Sequence, residues 1–415
     1  MCAQEVGLVN SWFLRLTLAA SLLGLAVVVM GAYVRLSDAG LGCPDWPVCY
    51  GQLTWPAAQA EIAQANEAFP HRPVEIDKAW KEQLHRFLAA ALGTLILALA
   101  LLATWQRPRR RNLLIAASCA AAGGIFAYVA GLIAMAAALS LLAIGLPIGA
   151  AAVWRDDRRG RMAAGLLGVV IFQALLGKWT VTLLVKPIIV TAHLLGGLTT
   201  VSLLCWLVLR EGGWLQSERS LALPPQRFLA AAVLLVVLVQ IALGGWTSTN
   251  YAALACIDFP TCHGVFWPDA DFREGFVLWR GLGVDYEFGV LDNPARVAIQ
   301  LAHRLGALIT LIVVLALAAA LLRSRQSLAT HRLAQLMAVL VILQFALGVG
   351  NVLLSLPLGL AVAHNGVATL LLLALLGLNH SLYPRPLAAA RPQQHAPAER
   401  SRGKARILTG EYDGA

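Results

Sequence analysis

The chain has 415 residues, of which 59% are hydrophobic and 13% charged, with a net charge of +10 at pH 7. About a quarter of the residues of a soluble globular domain are charged, so this composition excludes an ordinary soluble enzyme. The basic residues lie in short clusters between long apolar runs. That is the pattern of topology-setting loops, and it argues against nucleic acid as a partner.

The apolar runs, taken in chain order, predict an all-α polytopic membrane protein with about 8–10 spans across the lipid bilayer. The first run has no convincing cleavage site and is interpreted as a retained first span. No transit peptide rich in Arg and Ser precedes it, which favours a bacterial inner membrane. The candidate spans lie at 12–34, 82–105, 113–132, 134–153, 162–182, 188–209, 227–248, 299–322, 332–353 and 359–380.

The third and fourth candidates form one apolar stretch, 113–153, which contains Gly145 and Pro147. A tight inserted hairpin is the favoured interpretation, and a single span plus a buried segment is the alternative. The stretch contains no His, Asp, Glu, Lys or Arg, so we expect no catalytic role for it.

Basic clusters alternate with the spans and predict their orientation. They lie at 107–112, 155–161, 210–219 and 323–332 and in the tail, 384–415. Acidic residues concentrate instead in two long loops, 35–81 and 249–298. The bias of Lys and Arg therefore places both termini in the cytoplasm and both long loops outside.

Each long loop contains one pair of cysteines, Cys43 with Cys49 and Cys256 with Cys262. Outside the membrane is the oxidising compartment, where each pair could close a small disulfide loop. A metal site is the alternative, although this cysteine spacing is not a usual zinc pattern.

The chain contains the same series of residues twice, and each series begins with a cysteine pair. A cysteine loop is followed by a span with His-Arg near its start, and then by a later span with a histidine near its outer end. The repeated sets are Cys43, Cys49, His85, Arg86 and His193, then Cys256, Cys262, His303, Arg304 and His364. This duplication predicts two pseudo-symmetric four-helix transmembrane bundles, 12–210 and 227–380, with 113–153 inserted in the first.

The four intramembrane histidines, which are His85, His193, His303 and His364, are predicted to share one depth near the outer leaflet. An ionisable residue in a span is costly and points to function, although a single one can be a hydrogen-bonded packing residue. Two histidines facing across a four-helix bundle can bind haem through both axial positions. Arg86 and Arg304 are candidate partners of haem propionates, with snorkelling to the interface as the alternative.

The two halves differ three residues before the His-Arg pair. Glu82 precedes His85, whereas Gln300 precedes His303. Positions three apart share a helix face, so only the first site has a carboxylate beside its histidine. A carboxylate suits proton-coupled chemistry, which favours the first half as the chemical site. The alternative is that Glu82 is only an interfacial residue at the end of a span.

Several motifs in order resemble the haem A synthase family over most of residues 12–380. They are GLGCPDWPVCYG, EQLHR, KPIIVTAHLLGG, LAHRLGALIT and AVAHNGVATLLL. The resemblance implies oxidation of a methyl group of haem O to a formyl group, giving haem A. It further implies that His303 and His364 ligate a haem b cofactor, that His85 and His193 bind the substrate haem, and that Glu82 is catalytic.

The resemblance also gives Cys43 and Cys49 a role in redox chemistry or loop stability. Its implied partners are haem O, an electron donor, haem O synthase, cytochrome oxidase assembly factors and further copies in an oligomer. Other interpretations are a di-haem electron carrier of the cytochrome b type, a transporter, and a thiol–disulfide enzyme. The electron carrier explains four histidines but neither Glu82 nor the cysteine loops.

Overall fold

The computed structural model describes residues 2–215 and 224–382, and within these ranges the regular structure is helical. The predicted basic tail, 384–415, lies outside the described residues. The helices are α1 (Cys2–Leu36), α2 (Gln59–Ala68), α3 (Ile76–Ala103), α4 (Pro108–Val129), α5 (Ile133–Val153), α6 (Arg158–Thr182), α7 (Pro187–Gly212), α8 (Pro224–Thr249), α9 (Phe272–Gly275), α10 (Asn293–Leu322), α11 (Leu328–Leu353) and α12 (Leu358–Ser381).

In the described part of the chain, 10 helices are long and apolar enough to cross a membrane. They correspond to the predicted runs, which confirms an all-helical membrane protein. The remaining helices, α2 and α9, are short and lie in the two long loops. Several spans extend beyond their apolar runs. In particular, α3 begins at Ile76, so Glu82 lies more than one turn inside a helix rather than at its end.

The segment 113–153 forms the predicted hairpin, not a span with a buried segment. A short turn through Gly131, whose φ is +76°, joins α4 to α5. Gly145 and Pro147 both lie within α5 instead of at the turn. The hairpin packs chiefly against α6 and only weakly against α3, so it lies at the side of the first half.

The other spans form two bundles with the same cyclic order. In the first, α1, α3, α6 and α7 contact one another around a ring, which places α3 diagonally opposite α7. In the second, α8, α10, α11 and α12 form the equivalent ring, with α10 opposite α12. Each bundle has its own buried apolar core, and the bundles meet where α1 and α7 pack against α8 and α12.

The second long loop lies over the end of the first bundle. Arg72 in the first loop pairs with Glu287 at 2.6 Å and with Asp285 at 3.0 Å, both in the second loop. Lys186, at the start of α7, is 1% exposed. Its Nζ donates to the Gly281 carbonyl at 3.1 Å and lies 3.7 Å from the centre of the Trp279 ring. The two halves are therefore interlocked at this end as well as along their helices.

Candidate functional site

Both predicted cysteine pairs are disulfides, and the two loops are built alike. Cys43 is bonded to Cys49, and Cys256 to Cys262. Two residues after the first cysteine of each loop, an aspartate closes the turn. Asp45 accepts from the backbone N–H groups of Tyr50 and Gly51, both at 2.7 Å.

Asp258 repeats this arrangement in the second loop. It accepts from the N–H groups of His263 at 2.7 Å and Gly264 at 3.0 Å. The Thr261 hydroxyl and these N–H groups hold the pKa of Asp258 well below its usual range. Sequence reasoning missed both aspartates, although the shared pattern Cys-x-Asp-x-Pro-x-Cys was the available signal.

Glu82 and Gln300 occupy equivalent places beneath the two loops. Glu82 is 5% exposed, and its carboxylate accepts from the Cys43 N–H at 2.9 Å. Gln300 is 3% exposed, and its side-chain oxygen accepts from the Cys256 N–H. One position thus holds a carboxylate in the first half and a neutral amide in the second, with the same backbone partner. Glu82 is therefore buried and ties α3 to the disulfide loop.

The two arginines point into the cysteine loops. Arg86 donates to the carbonyls of Asp45 at 2.9 Å and Val48 at 2.7 Å, and pairs with Glu82 at 2.6 Å. Its guanidinium therefore holds the loop on the helix. The expected contact of Arg86 with a haem propionate stays a prediction, and the loop contacts account for this side chain without it.

Arg304 does the same in the second half. It donates to the carbonyls of Thr261 and Asp258, both at 2.8 Å, and to that of Cys256 at 3.1 Å. Gln300 cannot form the ion pair that Glu82 makes, and Arg304 instead has backbone carbonyls and the charge of Asp258 as partners. Its propionate role likewise remains a prediction.

Each intramembrane histidine packs against a glycine of a neighbouring helix in its own bundle. A Cβ added to Gly31 would lie 3.0 Å from Cε1 of His85, and one added to Gly244 would lie 3.0 Å from Cε1 of His303. The other pairs repeat this contact: Gly177 with His193 at 3.2 Å, and Gly348 with His364 at 3.1 Å. The glycines let the imidazoles lie directly against helix backbone, and sequence reasoning missed them.

The histidines form two pairs across the bundle diagonals. His85 on α3 and His193 on α7 lie near each other in the first bundle, as do His303 on α10 and His364 on α12 in the second. Each ring is only half-buried although it lies inside a bundle. The pairing predicted from the duplication is thus the pairing that the fold brings together.

The sequence profile of a family described as cytochrome oxidase assembly protein (COX15-CtaA) matches residues 14–140 and 125–376. The chain belongs to this family. A haem A synthase from Shewanella oneidensis is 38% identical over 381 residues, covering 92% of this chain and 99% of that protein. Haem A synthases from Rhizorhabdus wittichii and Caulobacter vibrioides are each 27% identical, covering 88% and 84% of this chain and 92% and 89% of their own lengths.

The residues of this family member fit a haem in each bundle. Buried Nδ1 atoms of His85, His193 and His364 have no hydrogen-bond partner in the described part of the chain. Among those same residues, no group of three or more His, Cys, Asp or Glu could hold a free metal ion. Two imidazoles per bundle suit an iron that brings its own equatorial ligands, as haem iron does.

The glycine contacts of this family member give a first testable prediction. Gly244→Ala should displace the His303 ring, because carbon atoms pack best at about 3.5–4.0 Å and the new methyl group would lie closer. We expect the variant to lose haem from the second bundle, measured as haem b per chain in the purified protein. Gly93→Ala is the control, since a Cβ there meets nothing within 4 Å. Equal haem contents in both variants would contradict the prediction.

Proposed function

We propose that His303 and His364 hold a haem b cofactor and that His85 and His193 hold the substrate haem O. Haem A synthesis is the activity of the relatives that match almost the whole chain, and it is the activity of this membrane oxidoreductase. On this proposal residues 12–210 form the substrate bundle, 227–380 the cofactor bundle, and 113–153 an inserted hairpin. Haem O is converted by oxidation of one porphyrin methyl group to a formyl group.

The observation that carries the assignment is the difference between Glu82 and Gln300. Both are buried beside a His-Arg pair and accept from the first cysteine of a loop. Only Glu82 can take up and release a proton, and oxidising a methyl group to a formyl group removes protons. A haem that only carries electrons needs no such group, which suits the second bundle.

Each residue then has a task in the proposed mechanism. The histidine pairs orient the two haems, and haem b supplies one-electron transfer when bound. Glu82 holds or moves a proton at its carboxylate oxygens. Arg86, at 2.6 Å, keeps that carboxylate aligned and fixes the disulfide loop above it. The interlocked loops reduce the access of water to the outer end of the substrate bundle.

We place the protein in a bacterial inner membrane with both termini and the basic loops in the cytoplasm. The charge bias of the loops supports this orientation, and the disulfides support an oxidising compartment for the long loops. The proposed partners are an electron donor, haem O synthase and cytochrome oxidase assembly factors, and the protein could act as an oligomer.

Pigment analysis tests the proposal. The full chain would be purified in detergent, and its haems extracted and separated by chromatography. Haem b together with haem O or haem A is the expected result, since it requires two different haem sites. Two haem b per chain would instead indicate a di-haem electron carrier, and a protein without haem would overturn the histidine assignments.

A further inference from the structure

A glutamine precedes the packing glycine by four residues in three of the four histidine contacts. The segments are QALLG (173–177), QIALG (240–244) and QFALG (344–348). The equivalent segment of α1 is VVVMG (27–31), with Val27 in place of the glutamine. Residues four apart lie one above the other on a helix face, so each glutamine lies one turn from the glycine that its histidine contacts.

These glutamines contact the histidines directly. Nε2 of Gln240 lies 3.0 Å from Nδ1 of His303 and donates to the His303 carbonyl at 3.0 Å. Nε2 of Gln344 lies 3.0 Å from Nε2 of His364. In the second bundle, therefore, both imidazoles are contacted at a ring nitrogen by a side-chain amide.

In the first bundle, a glutamine contacts only one of the two histidines, and it does so at the backbone. Gln173 donates to the backbone carbonyl of His193. The position equivalent to Gln240 is Val27, whose apolar side chain packs against the core of the first bundle. Nδ1 of His85 is buried, and no residue in the described ranges is hydrogen-bonded to it.

At two of the three glutamines, a second glycine makes room for the amide. Gly196 follows His193 by three residues, and Gly306 follows His303 by three residues. A Cβ on Gly196 would lie 2.2 Å from Oε1 of Gln173, and one on Gly306 would lie 2.1 Å from Oε1 of Gln240. These glycines make the room that the amides occupy. The same position is Val367 after His364 and Leu88 after His85, so His85 alone of the four lacks both the glutamine and this glycine.

We propose that Gln240 and Gln344 are positioning residues that fix both imidazoles of the second bundle, and that the imidazoles of the first bundle are less restrained, His85 the least because it has no glutamine. This inference rests on the proposed function and deepens it. A ligating imidazole donates the N–H of its second ring nitrogen, so on haem binding each amide would turn its oxygen toward that N–H. Such a hydrogen bond fixes the ring and adjusts the metal it binds. A resident cofactor must stay bound, whereas a substrate haem must enter and its product must leave. The difference between the two bundles therefore assigns the entry of the substrate haem and the release of its product to the side of His85.

The first experiment alters Gln240 in the purified full-length protein. Gln240→Leu removes the amide and leaves a side chain of similar size. Gln240→Glu keeps the length of the side chain and replaces the amide by a carboxylate. We expect Gln240→Leu to lower haem b affinity about 10–100-fold. The midpoint potential of haem b should move in opposite directions in the two variants, because the carboxylate makes the imidazole more basic. A purely structural role for Gln240 would not produce shifts of opposite sign.

The second experiment supplies the missing amide to His85. Val27→Gln combined with Leu88→Gly reproduces the arrangement around His303, and Leu88→Gly alone is the matched control. We expect slower release of haem O from the double variant than from the control, measured by transfer to apomyoglobin. Equal release rates, or an unchanged potential in both Gln240 variants, would refute the inference. If the unaltered protein bound no haem, the proposed function would fail instead.

Discussion

Glu82→Gln is expected to abolish haem A formation while haem b stays bound. The protein already has glutamine at the equivalent position of its second half, where Gln300 accepts from the Cys256 N–H as Glu82 accepts from the Cys43 N–H. The exchange should therefore leave the bond to the loop in place and remove the ionisable group together with its ion pair to Arg86. Loss of a positioned acid or base typically lowers a rate by about 10²–10⁴-fold. The measurement is the ratio of haem A to haem O in cells lacking any other haem A synthase.

The reciprocal exchange is the control for this prediction. Gln300→Glu places a carboxylate beside Arg304 and recreates the ion pair that Arg86 makes with Glu82 at 2.6 Å. We expect this variant to retain haem A formation, since it leaves the first bundle unaltered. Normal haem A yield from Glu82→Gln would exclude a catalytic role for the carboxylate. Glu82 would then have only a structural role, as the acceptor of the Cys43 N–H.

Alanine at the histidines should separate the two haem sites. His303→Ala and His364→Ala are each expected to lose haem b from the purified protein, because each variant removes one of the two imidazoles proposed to hold it. His85→Ala and His193→Ala should keep haem b and fail to retain haem O. Haem b per chain, from the optical spectrum of the pyridine complex, and extracted haem O are the two readouts.

His71→Ala is the control, because His71 is exposed in the first long loop and does not lie in a helix that spans the membrane. It should contain both haems in the amounts of the unaltered protein. Full haem b occupancy in His303→Ala or His364→Ala would contradict the assignment of the cofactor bundle. Loss of haem b from His85→Ala or His193→Ala would contradict the separation of the two sites.

The sequence was informative where physical constraints act along the chain. A span needs a long apolar run whatever its neighbours are, so the helices, including the 113–153 hairpin, were predictable. The duplication was visible because both halves retain the same order of Cys, His and Arg. That order also gave the diagonal pairs, His85 with His193 and His303 with His364.

The sequence was less informative about side chains whose partners are brought close only by the tertiary structure. The contact of Arg86 and Arg304 with haem propionates stays a prediction, whereas their bonds to the loop carbonyls of Cys43–Cys49 and Cys256–Cys262 were not predicted. Nothing local in His-Arg distinguishes a carbonyl partner from a carboxylate ligand. The contact of Arg72 with Glu287 joins residues 215 positions apart, and no periodicity indicates such a pair.

The glutamines illustrate a signal that was present but needed geometry to interpret. QALLG, QIALG and QFALG are evident as repeats once aligned, yet an apolar helix with one amide is unremarkable by itself. Their meaning comes from the glycine beside each imidazole and from Gly196 and Gly306, which lie on other helices. Such a set can be assembled only when the packing of helix pairs is known.

The natural difference between Glu82 in the first half and Gln300 in the second has a consequence for how such a protein can arise. Two identical four-helix subunits could assemble with the same architecture, but every residue would then be present in both copies. A carboxylate at one site and an amide at the other cannot be encoded by a single repeated subunit. Joining two copies in one polypeptide lets each copy change alone, so the internal duplication permits a division of labour between the halves.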